Sequence, residues 1–144
     1  MRKSLYCNRC RVRLTALLAI VSGKDPKVPE PLIEDRKPIV SRGVGFKAWK
    51  ATPWIYREPG EPLAFVPQYW LNPLDLTDAV QLSRDTSRTI GCCGISGING
   101  PNQLCRCKQE IGTLQDDCMT PCVFIPEPEA TFWADCDSEY LDNP

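Results

Sequence analysis

Nine cysteines and no histidine constrain this 144-residue chain more than any other feature of it. Cys7 and Cys10 form an N-terminal C-x2-C. Six more crowd the stretch GCCGISGINGPNQLCRCKQEIGTLQDDCMTPC: Cys92, Cys93, Cys105, Cys107, Cys118 and Cys122. The ninth, Cys136, stands alone near the C-terminus and is expected to be a free thiol. C-x2-C and C-x-C are spacings at which two thiolates converge on one metal ion. An odd count leaves one cysteine over in any purely intramolecular disulfide framework, and neighbours such as Cys92 and Cys93 bridge each other only with strain. The cysteines are therefore expected to be reduced and metal-bound, with a disulfide scaffold as the alternative.

The rest of the composition sets the kind of fold that the cysteines would hold. There are 14 prolines and 9 glycines, and many of the prolines fall between Pro26 and Pro73. Proline lacks a backbone donor and resists helix interiors and central strands, so short strands, turns and extended connections are expected, with little helix. A chain of this length forms one domain. The expected fold is a small single domain, mainly β with much irregular structure, stapled by all-cysteine zinc sites in the manner of knuckles and ribbons. The domain is placed at 1–134, and residues 135–144 are expected to be an acidic, frayed tail.

Along the chain, Leu5 to Thr15 reads as a knuckle opening a hairpin, and Thr15 to Val21 as a buried strand or a short helical turn. Gly23 to Pro38 is a polar, proline-punctuated connection. Ile39 to Ala51 starts like a strand, breaks at Gly43 and Gly45, and then interleaves Phe46 and Trp49 with Lys47 and Lys50. Trp54, Ile55 and Tyr56 are core candidates, and Ala64 to Leu71 is an aromatic strand candidate ended by Asn72-Pro73. Asp75 to Ser83 is the best helix candidate, since Leu76, Ala79, Val80 and Ser83 fall on one helical face. Val123 to Ile125 and Thr131 to Trp133 are the last strand candidates.

Two features bear on compartment and partners. Met1 to Arg13 carries five basic residues and precedes the apolar run Leu14 to Val21. That layout imitates a secretory signal cleaved near residue 23, but the run is short, contains Thr15 and follows a C-x2-C. A cytoplasmic protein is the preferred expectation and a secreted one the alternative. No segment reaches the ~18 apolar residues of a membrane span. All 17 Lys and Arg lie in residues 1–108 beside nine acids, whereas residues 109–144 hold nine acids and no base. The halves either pack together or present a basic and an acidic face to partners, self-complementary surfaces being the blander case.

The candidate ligands are Cys7, Cys10, Cys92, Cys93, Cys105, Cys107, Cys118 and Cys122. Zinc takes four tetrahedral ligands and thiolate is its usual structural one, so one or two structural zinc ions are expected. The simplest arrangement puts Cys7, Cys10, Cys105 and Cys107 around one ion. A second site would draw on Cys92, Cys93, Cys118 and Cys122, unless Cys92 and Cys93 diverge toward different metals. Asp117 is a candidate substitute for a thiolate. Gly91, Gly94, Gly97 and Gly100, with the turn signal Asn99-Gly100-Pro101-Asn102, suit a loop wrapped tightly around metal. Without histidine, mixed cysteine–histidine sites and histidine-ligated catalytic sites are excluded. A redox role for C-x2-C would need it to open a helix within a βαβ pattern, which is not evident around Cys10.

The motifs C-x2-C-x3-LT (Cys7, Cys10, Leu14, Thr15) and GCCG-x5-GPN-x2-C-x-C-x10-C (Gly91 to Cys118) resemble those of a family of small, uncharacterised, cysteine-rich bacterial proteins. They cover about a third of the chain; Gly23 to Pro62 has no counterpart. The resemblance implies a cytoplasmic metal-binding protein and no activity. The chain departs from it in lacking glycine after Cys10 and at Lys108, and in carrying Cys122 and Cys136.

For function, a closed all-thiolate site without catalytic equipment points first to a protein-interaction module, an adaptor or an inhibitor of a partner enzyme. The alternative is nucleic-acid binding through Arg9, Arg11, Arg13 and the Phe46–Lys50 cluster. An enzyme, relying on a carboxylate such as Asp116 or Asp117 or on a thiolate, ranks last. No small-molecule substrate is evident.

Overall fold

The computed structural model describes residues 2–51 and 63–135. Trp54, Ile55 and Tyr56, Cys136 and nearly all of the acidic tail lie outside the described residues. The fold is mainly β. Its strands are β1 (Arg2–Cys7), β2 (Leu18–Ser22), β3 (Val44–Ala48), β4 (Gln68–Leu71), β5 (Val80–Leu82), β6 (Gln103–Cys105), β7 (Glu110–Gln115), β8 (Val123–Pro126) and β9 (Thr131–Ala134). They form one sheet in the order β5-β6-β7-β8-β4-β3-β2-β1-β9. Every pairing is antiparallel except β2 with β3. That parallel pair requires a long crossover, and residues 23–43 supply it.

Successive strand residues point to opposite faces, and the central strands bury both. On one face, Leu5, Cys7, Leu14, Leu18, Leu71, Ala79, Cys105, Ile111 and Phe124 form a single apolar cluster. On the other, Phe46, Ala48, Trp70, Val123 and Ile125 pack beneath Ile39, Val40 and Leu63. Thus Trp70 and Leu71, neighbours in β4, belong to different clusters, as do Phe124 and Ile125 in β8. The crossover covers the second face, adding Val28 and Ile33 to its margin. Each large side chain buried in this way contributes about 1.5–3 kcal/mol.

The two ends of the sheet do not drift apart. Residues 13–16 bridge back to β1 through Tyr6↔Arg13, with the Leu14 amide donating to the Leu5 carbonyl at 2.7 Å. The same residues pair with the segment leading into β5: Thr15 bridges Leu76, and the Thr77 amide donates to the Leu14 carbonyl at 2.8 Å. β5 and β6, at one end of the sheet, are thereby tied to the β1 hairpin near the other.

This closure explains why Asp75 to Ser83 is not the helix its periodicity suggests. Pro73–Asp75 is a single 3-10 turn, capped by the Asn72 side chain accepting from the Leu74 amide at 2.9 Å, and the chain then extends into β5. Backbone groups that a helix would pair internally are taken by residues 13–16, while the apolar side chains of Leu76, Ala79 and Val80 reach the core in either conformation. A nine-residue helix has little intrinsic stability to oppose that pairing. Two strand boundaries also differ. β3 begins after Gly43, which takes φ +84, instead of at Ile39. β4 begins only at Gln68, because Pro67 has no amide to pair.

Candidate metal centre

Cys7 is the last residue of β1 and Cys105 the last of β6, so each begins a turn where its strand stops. The two turns are built alike. In the first, the Arg11 amide donates to the Cys7 carbonyl at 2.9 Å and the Cys7 amide to the Val12 carbonyl at 3.0 Å. In the second, the Lys108 amide donates to the Cys105 carbonyl at 2.7 Å and the Cys105 amide to the Gln109 carbonyl at 2.9 Å. The second turn is one residue shorter, as C-x-C is one shorter than C-x2-C. In both, the residue after the last cysteine is left-handed: Arg11 at φ 65 and Lys108 at φ 76. These are the two positions at which the sequence lacks the glycine that such turns favour.

The turns face one another across the closure of the sheet. Cys7 Sγ lies 3.6 Å from Cys107 Sγ, and Cys10 Sγ lies 3.4 Å from Cys105 Sγ. All four sulfurs fall within 4.8 Å of one another. A tetrahedron with metal–sulfur bonds of about 2.3 Å has edges of about 3.8 Å, so the four thiols can all ligate one ion. Cys7 and Cys105 are fully buried, Cys107 is half-buried and Cys10 is exposed. Burial pushes the Cys7 and Cys105 thiols up. Burial also acts to raise Cys107, but the Gln109 amide and hydrogen bonds from Cys7, Cys10 and Cys105 outweigh it and bring the thiol down to about 7. A metal ion entering this group displaces the remaining protons, so its affinity must fall in acid.

A second group of thiols, Cys92, Cys93 and Cys118, also lies within 4.8 Å in mutual sulfur separation. Cys92 and Cys93 thus point to one site and do not diverge; their sulfurs are 3.8 Å apart. Cys122 belongs to neither group. Its carbonyl accepts from the Ile39 amide at 3.4 Å, and burial pushes its thiol up.

The organiser of the second group is Asp117, which the sequence offers as a substitute ligand or a candidate catalytic carboxylate but not as a clamp on the backbone. Its Oδ1 accepts the amides of Cys93 at 2.8 Å, Gly94 at 3.1 Å and Cys118 at 2.8 Å, and its Oδ2 accepts that of Cys92 at 3.0 Å. These donors, led by Cys93 and Cys118, hold the carboxyl at about 2. The Asp117 amide itself donates to Thr120 Oγ1 at 3.0 Å, so the turn 117–120 fixes the carboxylate. The signal in the sequence was Asp-x-x-Thr, a turn in which an acid and a hydroxyl bond the local backbone. The flanking glycines are required by close approach. A Cβ on Gly91 would lie 1.9 Å from the Gly94 carbonyl oxygen, and one on Gly94 would lie 2.8 Å from the Asp116 carbonyl oxygen.

The basic and aromatic side chains between Phe46 and Lys50 are largely engaged within the chain. Phe46 is buried against Trp70, with ring centroids 5.6 Å apart. Trp49 is partly exposed, but Lys24 Nζ lies 3.7 Å from its ring centroid and Lys47 Nζ 4.7 Å. Lys50 pairs with Glu30 at 2.9 Å. Among the described residues no helix is long and apolar enough to cross a membrane.

No known protein family, characterised protein or solved structure matches the chain. What it does must be argued from the two thiol groups and the fold that positions them.

Proposed function

We propose that the chain is a zinc-stapled β domain serving as a protein-interaction module, with Cys7, Cys10, Cys105 and Cys107 holding one structural zinc ion. The observation that carries this is the convergence of two like-built turns, some 95 to 100 residues apart in sequence, on four sulfurs within one coordination sphere. Four thiolates close the coordination shell and leave no position for an activated water, which favours a structural over a catalytic ion. Zinc fits best because it is borderline-soft, redox-inert and content with tetrahedral sulfur. An ion closing a loop of this length restrains the unfolded chain strongly.

The interaction role is supported by what the surface offers. Ile90 (49% exposed), Ile98 (46%) and Met119 (72%) are large apolar side chains on the segments that carry the second thiol group. Nucleic-acid binding has less support, since Phe46 is buried and the face of Trp49 is occupied by lysines of the same chain.

Two experiments test the proposal. Reduced protein should retain zinc on gel filtration and lose its cooperative melt on chelation; retention of the melt without zinc would remove the structural-ion claim. Cross-linking in the native cell should recover one partner in near-stoichiometric amount, lost in an Ile90→Ser, Met119→Ser variant that keeps its zinc. Recovery unaffected by those substitutions would place the interaction elsewhere.

A further inference from the structure

The second thiol group differs from the first in ways that assign it a different chemistry. It offers three sulfurs instead of four. Cys92 and Cys93 are exposed and Cys118 is half-buried, whereas the first group is rooted in the core through Cys7 and Cys105. The neighbouring side chains that could complete a tetrahedron are engaged elsewhere or lie apart, and Asp116 Oδ1 accepts the Ile95 amide at 2.7 Å. Asp117 spends both carboxylate oxygens on four backbone amides, and Cys122 lies outside the group. Those amide bonds also make the site pre-organised: the loop that presents Cys92 and Cys93 is clamped to the turn that presents Cys118.

We propose that Cys92, Cys93 and Cys118 form an open metal site, binding a thiophilic divalent cation through three thiolates with the fourth position filled from outside the chain. Three protein ligands with one exchangeable position is the arrangement in which bound zinc stays accessible to small ligands. On binding, the three thiols release three protons to solvent; an entering exogenous thiol releases its own proton and displaces water. No electron is transferred. The proposal goes beyond the closed site and stands independently of it.

Cobalt(II), which reports coordination by its visible spectrum, is the probe. The reduced full-length chain, titrated anaerobically, should take up two equivalents. Glutathione added afterwards should change the ligand-field bands of one equivalent and leave the other unaltered, and a competing chelator should strip the responsive ion first. Cys92→Ser should reduce uptake from two equivalents to one and abolish the glutathione response, without altering the remaining spectrum. Uptake of one equivalent that survives Cys92→Ser would overturn the proposal, as would a second equivalent blind to glutathione. A single equivalent that is lost in Cys92→Ser would instead remove the closed site and leave the open one standing. The Cys118→Ser variant, tested in parallel, should reproduce the Cys92→Ser result.

Discussion

Lys108 sits at φ 76, a conformation that costs an ordinary L-residue about 1–2 kcal/mol and glycine much less. Glycine's greater freedom in the unfolded chain returns about half of that difference. Lys108→Gly should therefore stabilise the protein by about 0.5–1 kcal/mol in denaturant unfolding, and Lys108→Val should destabilise it by at least as much. Arg11→Gly should gain less, because the Arg11 guanidinium lies 5.5 Å from the centroid of the Phe132 ring and that contact is worth about 0.5–1 kcal/mol. Asp117 supplies a pH test. Its carboxyl is held at about 2, below the ordinary value of about 3.9. The contribution it makes to the loop is thus fully present above about pH 4 and is lost as pH falls toward 2. The amides of Cys92, Cys93 and Gly94 should lose hydrogen-exchange protection across that window, and Asp117→Asn should weaken their protection at neutral pH. Cysteine spacing made the members of the first group legible in the sequence. It could not reveal that Asp117 clamps the second, because a carboxylate that accepts backbone amides has no spacing signature comparable to C-x-C.

Among the elements, continuous apolar runs were informative, and short amphipathic segments were misleading. β8 and the end of β4 were recognisable as apolar runs because strands buried on both faces need them. β5 was not, because Leu76, Ala79 and Val80 satisfy a helical stripe as well as an extended segment leading into an edge strand, and only the pairing of residues 13–16 with 75–77 decides between them. That pairing is non-local and invisible in a window of nine residues. Gly112 in β7 is another non-local demand: a Cβ there would meet Phe124 Cζ at 2.4 Å. Gly112→Ala should destabilise the chain by about 1–3 kcal/mol through overpacking. Pairing Gly112→Ala with Phe124→Leu should recover part of that loss in a double-mutant cycle, whereas simple additivity would show that the two positions do not meet.

For the whole molecule, closure of the sheet decides stability. A sheet whose ends return to each other must hold its seam, and the first thiol group spans that seam between the β1 and β6 turns. The structural zinc ion proposed for this group would add on the order of 10 kcal/mol, comparable to the entire net stability of an ordinary domain. Chelation should accordingly lower the melting temperature by tens of degrees, roughly, while Cys92→Ser, which removes only the open site, should lower it far less. The mainly β class and the two-turn cluster were readable from proline content and cysteine spacing; the seam was not, since it depends on which strands become neighbours. The most direct measurement is zinc K-edge X-ray absorption of the reduced Cys92→Ser chain, in which the open site is disabled. One zinc per chain surrounded by four sulfur atoms at about 2.3 Å is the predicted result. A shell containing nitrogen or oxygen, or a folded chain that binds no zinc, would contradict the closed four-thiolate centre.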